Sequence, residues 1–138
     1  MPAEAFFDTN VLIYAVTLDN AQDNDRSHRA ETLLAAGGVV SVQVMNEFAS
    51  VARRKLGMSW SEVKDALQAI RILCPAVAPL TLATHDLAID LAGRYNFEIY
   101  DALIAAAALQ AKSSVLYSED FQDGQVIEGK LTIRNPFK

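Results

Sequence analysis

Cysteine is almost missing from this 138-residue chain: Cys74 stands alone, so no internal disulfide and no multi-cysteine metal site can form. Its setting in Ile72-Leu73-Cys74-Pro75 is that of a small buried residue at a helix end. Histidine is scarce too, with His28 and His85 the only two. Neither has a second His or Cys spaced to join it in a zinc site; His28 reads as exposed and His85 as a surface or packed side chain. No stretch approaches the ~18 consecutive apolar residues of a membrane span. The N-terminus also lacks the basic segment and cleavage pattern of a secretory signal, which predicts a cytoplasmic protein with no membrane association. Basic residues are outnumbered, 12 Lys and Arg against 17 Asp and Glu, for a formal net charge of -5. That argues against a broad electrostatic grip on nucleic acid. It leaves nucleic acid open as a substrate, because divalent ions restore positive charge to an acidic site. Arg53-Arg54-Lys55 is the densest basic cluster, by default a solvated helix face and alternatively a phosphate contact.

What is present is enough apolar residue, 51% of the chain, for one sizeable core, and residues 1–138 read as a single domain without repeats or low-complexity linkers. Phe6-Phe7 suits a short buried strand, and Asn10 suits a cap for the apolar helix that follows. The polar stretch 19–25 reads as a loop; it lacks the Gly and terminal Glu of a calcium-binding loop. A helix from about Arg26 to Ala36 stops at Gly37-Gly38. A strand at Gly38–Ser41 leads into a helix from about Val42 to Leu56. Ser59-Trp60-Ser61-Glu62 has capping-box spacing for a helix reaching Leu73, with Trp60 as a hydrophobic staple or a partner surface. Pro75 and Pro79 bracket a strand suited to a sheet edge. Thr81 caps a helix ending near Tyr95-Asn96, and a helix from Tyr100 to Leu109 is apolar almost all round, hence buried. Strands follow at Ser114–Tyr117 and Leu131–Ile133. This order predicts an α/β fold, a central parallel sheet of four to five strands flanked by helices, with strand ends and helix starts along one edge.

Four acids map to that edge. Asp8 interrupts an apolar run where the first strand meets the first helix, the side of a parallel sheet where ligands bind; taken alone it reads first as a turn or capping residue, and the other acids change that reading. On the third helix Val44, Met45, Phe48, Val51, Ala52 and Leu56 form one stripe, and Glu47 falls at its border, placed either toward the first strand end or toward solvent. Asp101 stands in the first turn of the buried helix, where a cap would also put an acid. Ser118-Glu119-Asp120-Phe121-Gln122-Asp123-Gly124 follows the fourth strand, with Asp120 aimed inward over Phe121 and with Glu119 and Asp123 as further acids. Two carboxylates ~4 Å apart repel by about 4 kcal/mol at an effective dielectric of 20, so four together call for a cation. An all-oxygen set suits Mg2+ or Mn2+ rather than zinc, and such a site suits phosphodiester hydrolysis.

Phe7-Asp8-Thr9-Asn10-Val11-Leu12, Asn46-Glu47-Phe48, Tyr100-Asp101-Ala102-Leu103-Ile104-Ala105, the stretch from Ser118 to Gly124 and the terminal Asn135-Pro136-Phe137 resemble, in this order and at these intervals, the PIN-domain family. Within it the chain is similar to the VapC-like ribonuclease toxins of toxin-antitoxin pairs. The resemblance covers essentially the whole chain. It implies metal coordination and catalysis by Asp8, Glu47, Asp101 and Asp120, with Asn10, Ser118 and Asp123 in support. Ser118 stands where many members have Thr, and the hydroxyl is kept. It further implies an RNA substrate, a homodimer and an antitoxin whose C-terminal segment covers the active site. A housekeeping nuclease of the same family is the nearest alternative. A phosphoacceptor receiver domain also has strand-end acids and Mg2+, but it needs an acidic pair at the first strand end and a lysine ending a late strand, where this chain has Asp8-Thr9 and Tyr117-Ser118. A noncatalytic binding module has no need of all four acids.

Overall fold

A strand of only two residues lies inside the sheet, paired on both sides. The computed structural model, which describes residues 5–17 and 24–138, has strand order β3-β2-β1-β4-β6-β5. Here β1 is Phe6–Phe7, β2 Val39–Ser41, β3 Ala76–Ala78, β4 Val115–Tyr117, β5 Val126–Ile127 and β6 Leu131–Arg134. Phe6 lies opposite Val39 on one side and Leu116 on the other, both in parallel register. Two residues suffice for β1 because both rings are fully buried and the ladder continues one residue further, Asp8 N–H donating to the Tyr117 carbonyl at 3.0 Å. Among the described residues only β5 and β6 pair antiparallel.

The α/β architecture is the expected one, and its sheet has six strands, one beyond the expected range. The addition is β5, two residues with one side chain in and one out, too short to carry a periodic signal. The edge position of the Pro-bracketed β3 is as expected.

Helices α1 (Thr9–Val16), α2 (Asn24–Ala35), α3 (Val42–Arg54), α4 (Trp60–Leu73), α5 (Leu82–Tyr95) and α6 (Ile99–Gln110) connect the strands. Most of the polar loop expected over 19–25 lies outside the described residues; Asp25 is on α2, paired with Arg29 at 3.2 Å. Ser59 and Glu62 form the capping box that opens α4, and Thr81 caps α5 in a second one with Thr84. On α3 the fully buried stripe narrows to Val44, Phe48 and Ala52. Leu56 lies beyond its end, since Lys55 is the C-cap, its N–H donating to the Val51 carbonyl. Trp60 is neither staple nor core: it is 64% exposed, with the Arg53 guanidinium 4.9 Å above its ring. His28 and His85 are exposed and Cys74 is buried.

The run Ala102–Ala108 on α6 is buried without a break, between α5 on one side and α3, β2 and β3 on the other. Gly38 lets β2 begin against β1: a Cβ there would stand 2.6 Å from the Phe7 ring and 2.7 Å from the Ala5 carbonyl oxygen. The absence of a side chain there lets β2 pair closely with β1, the strand that Asp8 follows.

Candidate active site

The chain leaves β1 toward β2 on one side, and leaves β4 toward β6 on the other. The carboxyl ends of β1 and β4 therefore flank the point where strand order reverses, the place in an open α/β sheet where a crevice forms. Asp8 and Ser118 are the residues directly after those two strands. Asp8 is 1% exposed and Ser118 is fully buried.

Asp8 is the N-cap of α1, one Oδ accepting from Thr9 N–H at 2.6 Å. The cap thus stands two residues before the one expected at Asn10, and Asn10 is left with its side chain free for the crevice. Ser118 Oγ donates to the second Asp8 oxygen at 2.6 Å and accepts from the Asp120 N–H at 3.0 Å. Asn10 Nδ2 faces three acceptors: Asp120 Oδ2 at 3.2 Å, Ser118 Oγ at 3.4 Å and Asp8 Oδ2 at 3.5 Å. Those acceptors fix the amide orientation. Asn10 Oδ1 is consequently a buried acceptor with no partner, a condition that costs about 1–3 kcal/mol.

Glu47 reaches the same place from α3, half-buried, and accepts from Thr9 Oγ1 at 3.2 Å. Asp101 comes from the first turn of α6 but does not cap it. Glu98 is the cap, its Oε2 accepting from the N–H groups of Tyr100 at 3.0 Å and Asp101 at 3.3 Å, so the Asp101 carboxyl is available elsewhere. Asp120 stands at the rim, more exposed than an inward-aimed acid, with Phe121 buried beneath it against Phe97. Glu119 accepts from Tyr14 Oη at 3.0 Å. Asp123 is turned elsewhere: it accepts from Asn135 N–H at 2.8 Å and pins the C-terminal turn.

The electrostatics record this convergence. Burial pushes the Asp8 carboxyl up to about 7; the bonds from Ser118 and Thr9 oppose that rise, and the charges of Asp120 and Asp101 add to it. Glu47 is also pushed up to about 7, first by burial, against the Thr9 hydroxyl, with Asp101, Glu98 and Asp120 adding repulsion. Asp101 rises to about 6 through burial, then Asp120 and Glu98. Asp8, Glu47, Asp101 and Asp120 thus share one field, joined by a fifth acid, Glu98. Its place three residues before Asp101 is N-cap spacing and could have been read from the sequence. Thr9, which holds Glu47 across 38 positions of chain, leaves no such signal.

An open cleft of about 340 Å3 leads to the acids, with Thr9, Asn10, Tyr14, Glu47, Lys55 and Asp120 among its walls. Among the described residues no three Asp, Glu, His or Cys side chains stand close enough as they are to enclose a metal ion. The donor set is nonetheless all oxygen, strongly anionic and includes the unpartnered Asn10 carbonyl. Mg2+ characteristically keeps several waters and takes only one or two carboxylates. The residues present fit such an ion.

A family model described as the PIN domain matches residues 5–122, and no curated protein sequence matches the chain. Solved structures share the fold nearly end to end. A toxin-antitoxin complex from Klebsiella pneumoniae superposes with a TM-score of 0.70 at 19% identity, covering 97% of this chain and 98% of that one. VapC20 of Mycobacterium tuberculosis, a toxin that cleaves the sarcin-ricin loop, gives 0.67 at 21% identity over 84% and 89%. VapBC2 of Rickettsia felis, bound to a promoter DNA fragment, gives 0.66 at 17% identity over 95% and 97%. The family match spans most of the sequence and the sheet order carries its acids to one edge, so the chain belongs to the PIN domain family.

Proposed function

We propose that this protein is a Mg2+- or Mn2+-dependent endoribonuclease, the toxin of a toxin-antitoxin pair. The observation that carries the reading is the convergence of Asp8, Glu47, Asp101 and Asp120 on one crevice, where each of the first three is held above its ordinary pKa partly by the charge of the others. Asp8, Glu47, Asp101 and Asp120 would hold the ion. A bound divalent ion supplies Lewis acidity at the phosphodiester and a more acidic water. Ser118 and Thr9 hold the Asp8 and Glu47 carboxylates by hydrogen bonds, and Asn10 ties Asp120 to Asp8 across the crevice. Asp123 has a structural place at Asn135 rather than one beside the ion.

The purified protein incubated with a mixed RNA pool should cleave it in Mg2+ or Mn2+ and not in chelator. Asp8→Asn should lose more than about 100-fold, since even partners one shell removed from a metal are worth about 10- to 100-fold. Equal cleavage by that variant, or cleavage in chelator, would sink the assignment.

The similar structures from Klebsiella pneumoniae and Rickettsia felis support an antitoxin partner here. Exposed apolar side chains such as Ile72, Leu82 and Ile89 support surfaces covered by that partner or, in a homodimer, by a second copy. A small protein encoded beside this gene should co-purify with it and suppress cleavage. If it does neither, a housekeeping nuclease of the same family becomes the better reading.

A further inference from the structure

The basic cluster at the end of α3 is divided three ways. Arg53 is committed, its guanidinium over Trp60 and its Nη1 donating to the Met58 carbonyl at 3.0 Å. Lys55 lines the acidic cleft already described. Arg54 lines a second cleft of about 380 Å3, whose walls include Asn46, Ser50 and Tyr100. The two clefts meet on α3, since Glu47 and Val51 line both.

Glu47, Ser50, Val51 and Arg54 follow i, i+3, i+4, i+7 spacing and so share one exposed helix face. Arg54 and Lys55 come two turns after Glu47, about 10 Å along the axis. Arg54 Nε donates to Ser50 Oγ at 3.1 Å, and neither cation pairs with a carboxylate among the described residues. On the opposite wall Tyr100 is 53% exposed, one residue before Asp101. The face thus offers unneutralised positive charge at one end, a bare aromatic ring beside the acids, and polar side chains between them.

Resting on the nuclease reading above, we infer that this α3 face is the substrate track for single-stranded RNA, with Arg54 and Lys55 holding phosphates next to the scissile one and Tyr100 stacking a base beside Asp101. A single strand suits it because aromatic stacking needs an unpaired base. Arg54 and Lys55 are therefore positioning residues for the substrate, and Tyr100 sets where the chain is gripped. Two phosphate contacts give a shallow salt dependence: at about -0.7 per contact for a single strand, the slope of log affinity against log salt is roughly -1.4.

The test uses the full chain with Asp8→Asn as a cleavage-silent background and a fluorescently labelled single-stranded RNA oligonucleotide, with binding followed by anisotropy across a salt series. Adding Arg54→Ala or Lys55→Ala should each weaken binding several-fold at low salt and reduce the slope by about 0.7. Tyr100→Ala should weaken binding about 5-fold or more without changing the slope, and Tyr100→Phe should restore it. Arg71→Ala, on α4 and lining neither cleft, should change nothing. Thermal melts of each variant check folding. Unchanged slopes in both basic variants, an equal loss in Arg71→Ala, or no RNA binding in the background would overturn the track. Cleavage of the same RNA by wild type in Mg2+ would leave the nuclease reading standing in any of those cases. Loss of binding to a co-purifying partner protein with RNA binding intact would reassign the face to that protein and overturn the proposal.

Discussion

Asp8 is at once a helix cap, the end of a strand ladder and a carboxyl with almost no exposure. A buried carboxylate survives only with donors around it, and Ser118 is the one that matters most, its bond opposing the effect of burial. Ser118→Ala should therefore push the Asp8 pKa further up. It should destabilise the protein by about 1–3 kcal/mol and move the acid limb of any metal-dependent activity to higher pH. Ser118→Thr keeps the hydroxyl and should keep most of both. Urea melts and a pH-rate profile of the two variants check this. The same raised pKa values set the pH response of the chelated protein. Asp8, Glu47 and Asp101 bind protons more tightly folded than unfolded, between about 4 and 7. The stability they contribute is complete below their unfolded pKa values and is lost as pH rises through the folded ones. In chelator the Tm should fall between pH 5 and pH 8, by about 4 °C for each kcal/mol. Metal affinity should run the other way, because the ligands must shed protons to bind. A chelated Tm that is flat or rising over that window would show that burial and neighbouring charge do not hold these carboxyls above their ordinary pKa values.

At the scale of elements, two glycines separate packing from propensity. Gly38 opens β2 against the Phe7 ring and the Ala5 carbonyl, and Gly38→Ala should cost about 1–3 kcal/mol by overpacking. Gly93 lies within α5 with open space where a Cβ would go, and Gly93→Ala should stabilise by about 0.5–1 kcal/mol. Denaturant midpoints of both variants decide it; equal effects of one sign would contradict this account of β1. The signals that were legible in the sequence are local ones. Ser59 with Glu62 and Thr81 ahead of α5 mark their helix starts because a cap needs only neighbouring residues. The unbroken apolar surface of α6 announced its burial. What could not be read depends on distant chain. Thr9 meets Glu47 only once α1 and α3 are packed, and β5 has no pattern apart from β6. Asp123 looks like a site acid from its loop until Asn135 is seen beside it. Asp101 resembled a cap because any acid in a first turn does, and only the structure shows Glu98 performing that task.

For the whole molecule, sheet order is the device that collects the acids. Strand β1 lies between β2 and β4, and the connections diverge from it, so residues more than 100 positions apart, Asp8 and Ser118, become hydrogen-bonded neighbours. The predicted α/β architecture already placed Asp8, Glu47, Asp101 and Asp120 along one edge; the structure adds their mutual repulsion and the unpartnered Asn10 carbonyl. Negative net charge fits this arrangement, since the fold concentrates acid at the edge where the proposed cation would sit.

The most direct measurement is a set of thermal melts of wild type and Asp101→Asn, each in chelator and in millimolar Mg2+. Since Glu98 caps α6, Asp101→Asn leaves the cap intact and removes a half-buried charge together with its repulsion of Asp120 and Glu98. In chelator the variant should melt higher than wild type, because strain held at a functional site lowers stability. In Mg2+ that advantage should shrink or reverse, because an ion that binds only the folded state stabilises wild type by mass action and the variant has lost one ligand. A difference between the two proteins that is the same with and without Mg2+ would contradict a shared metal site.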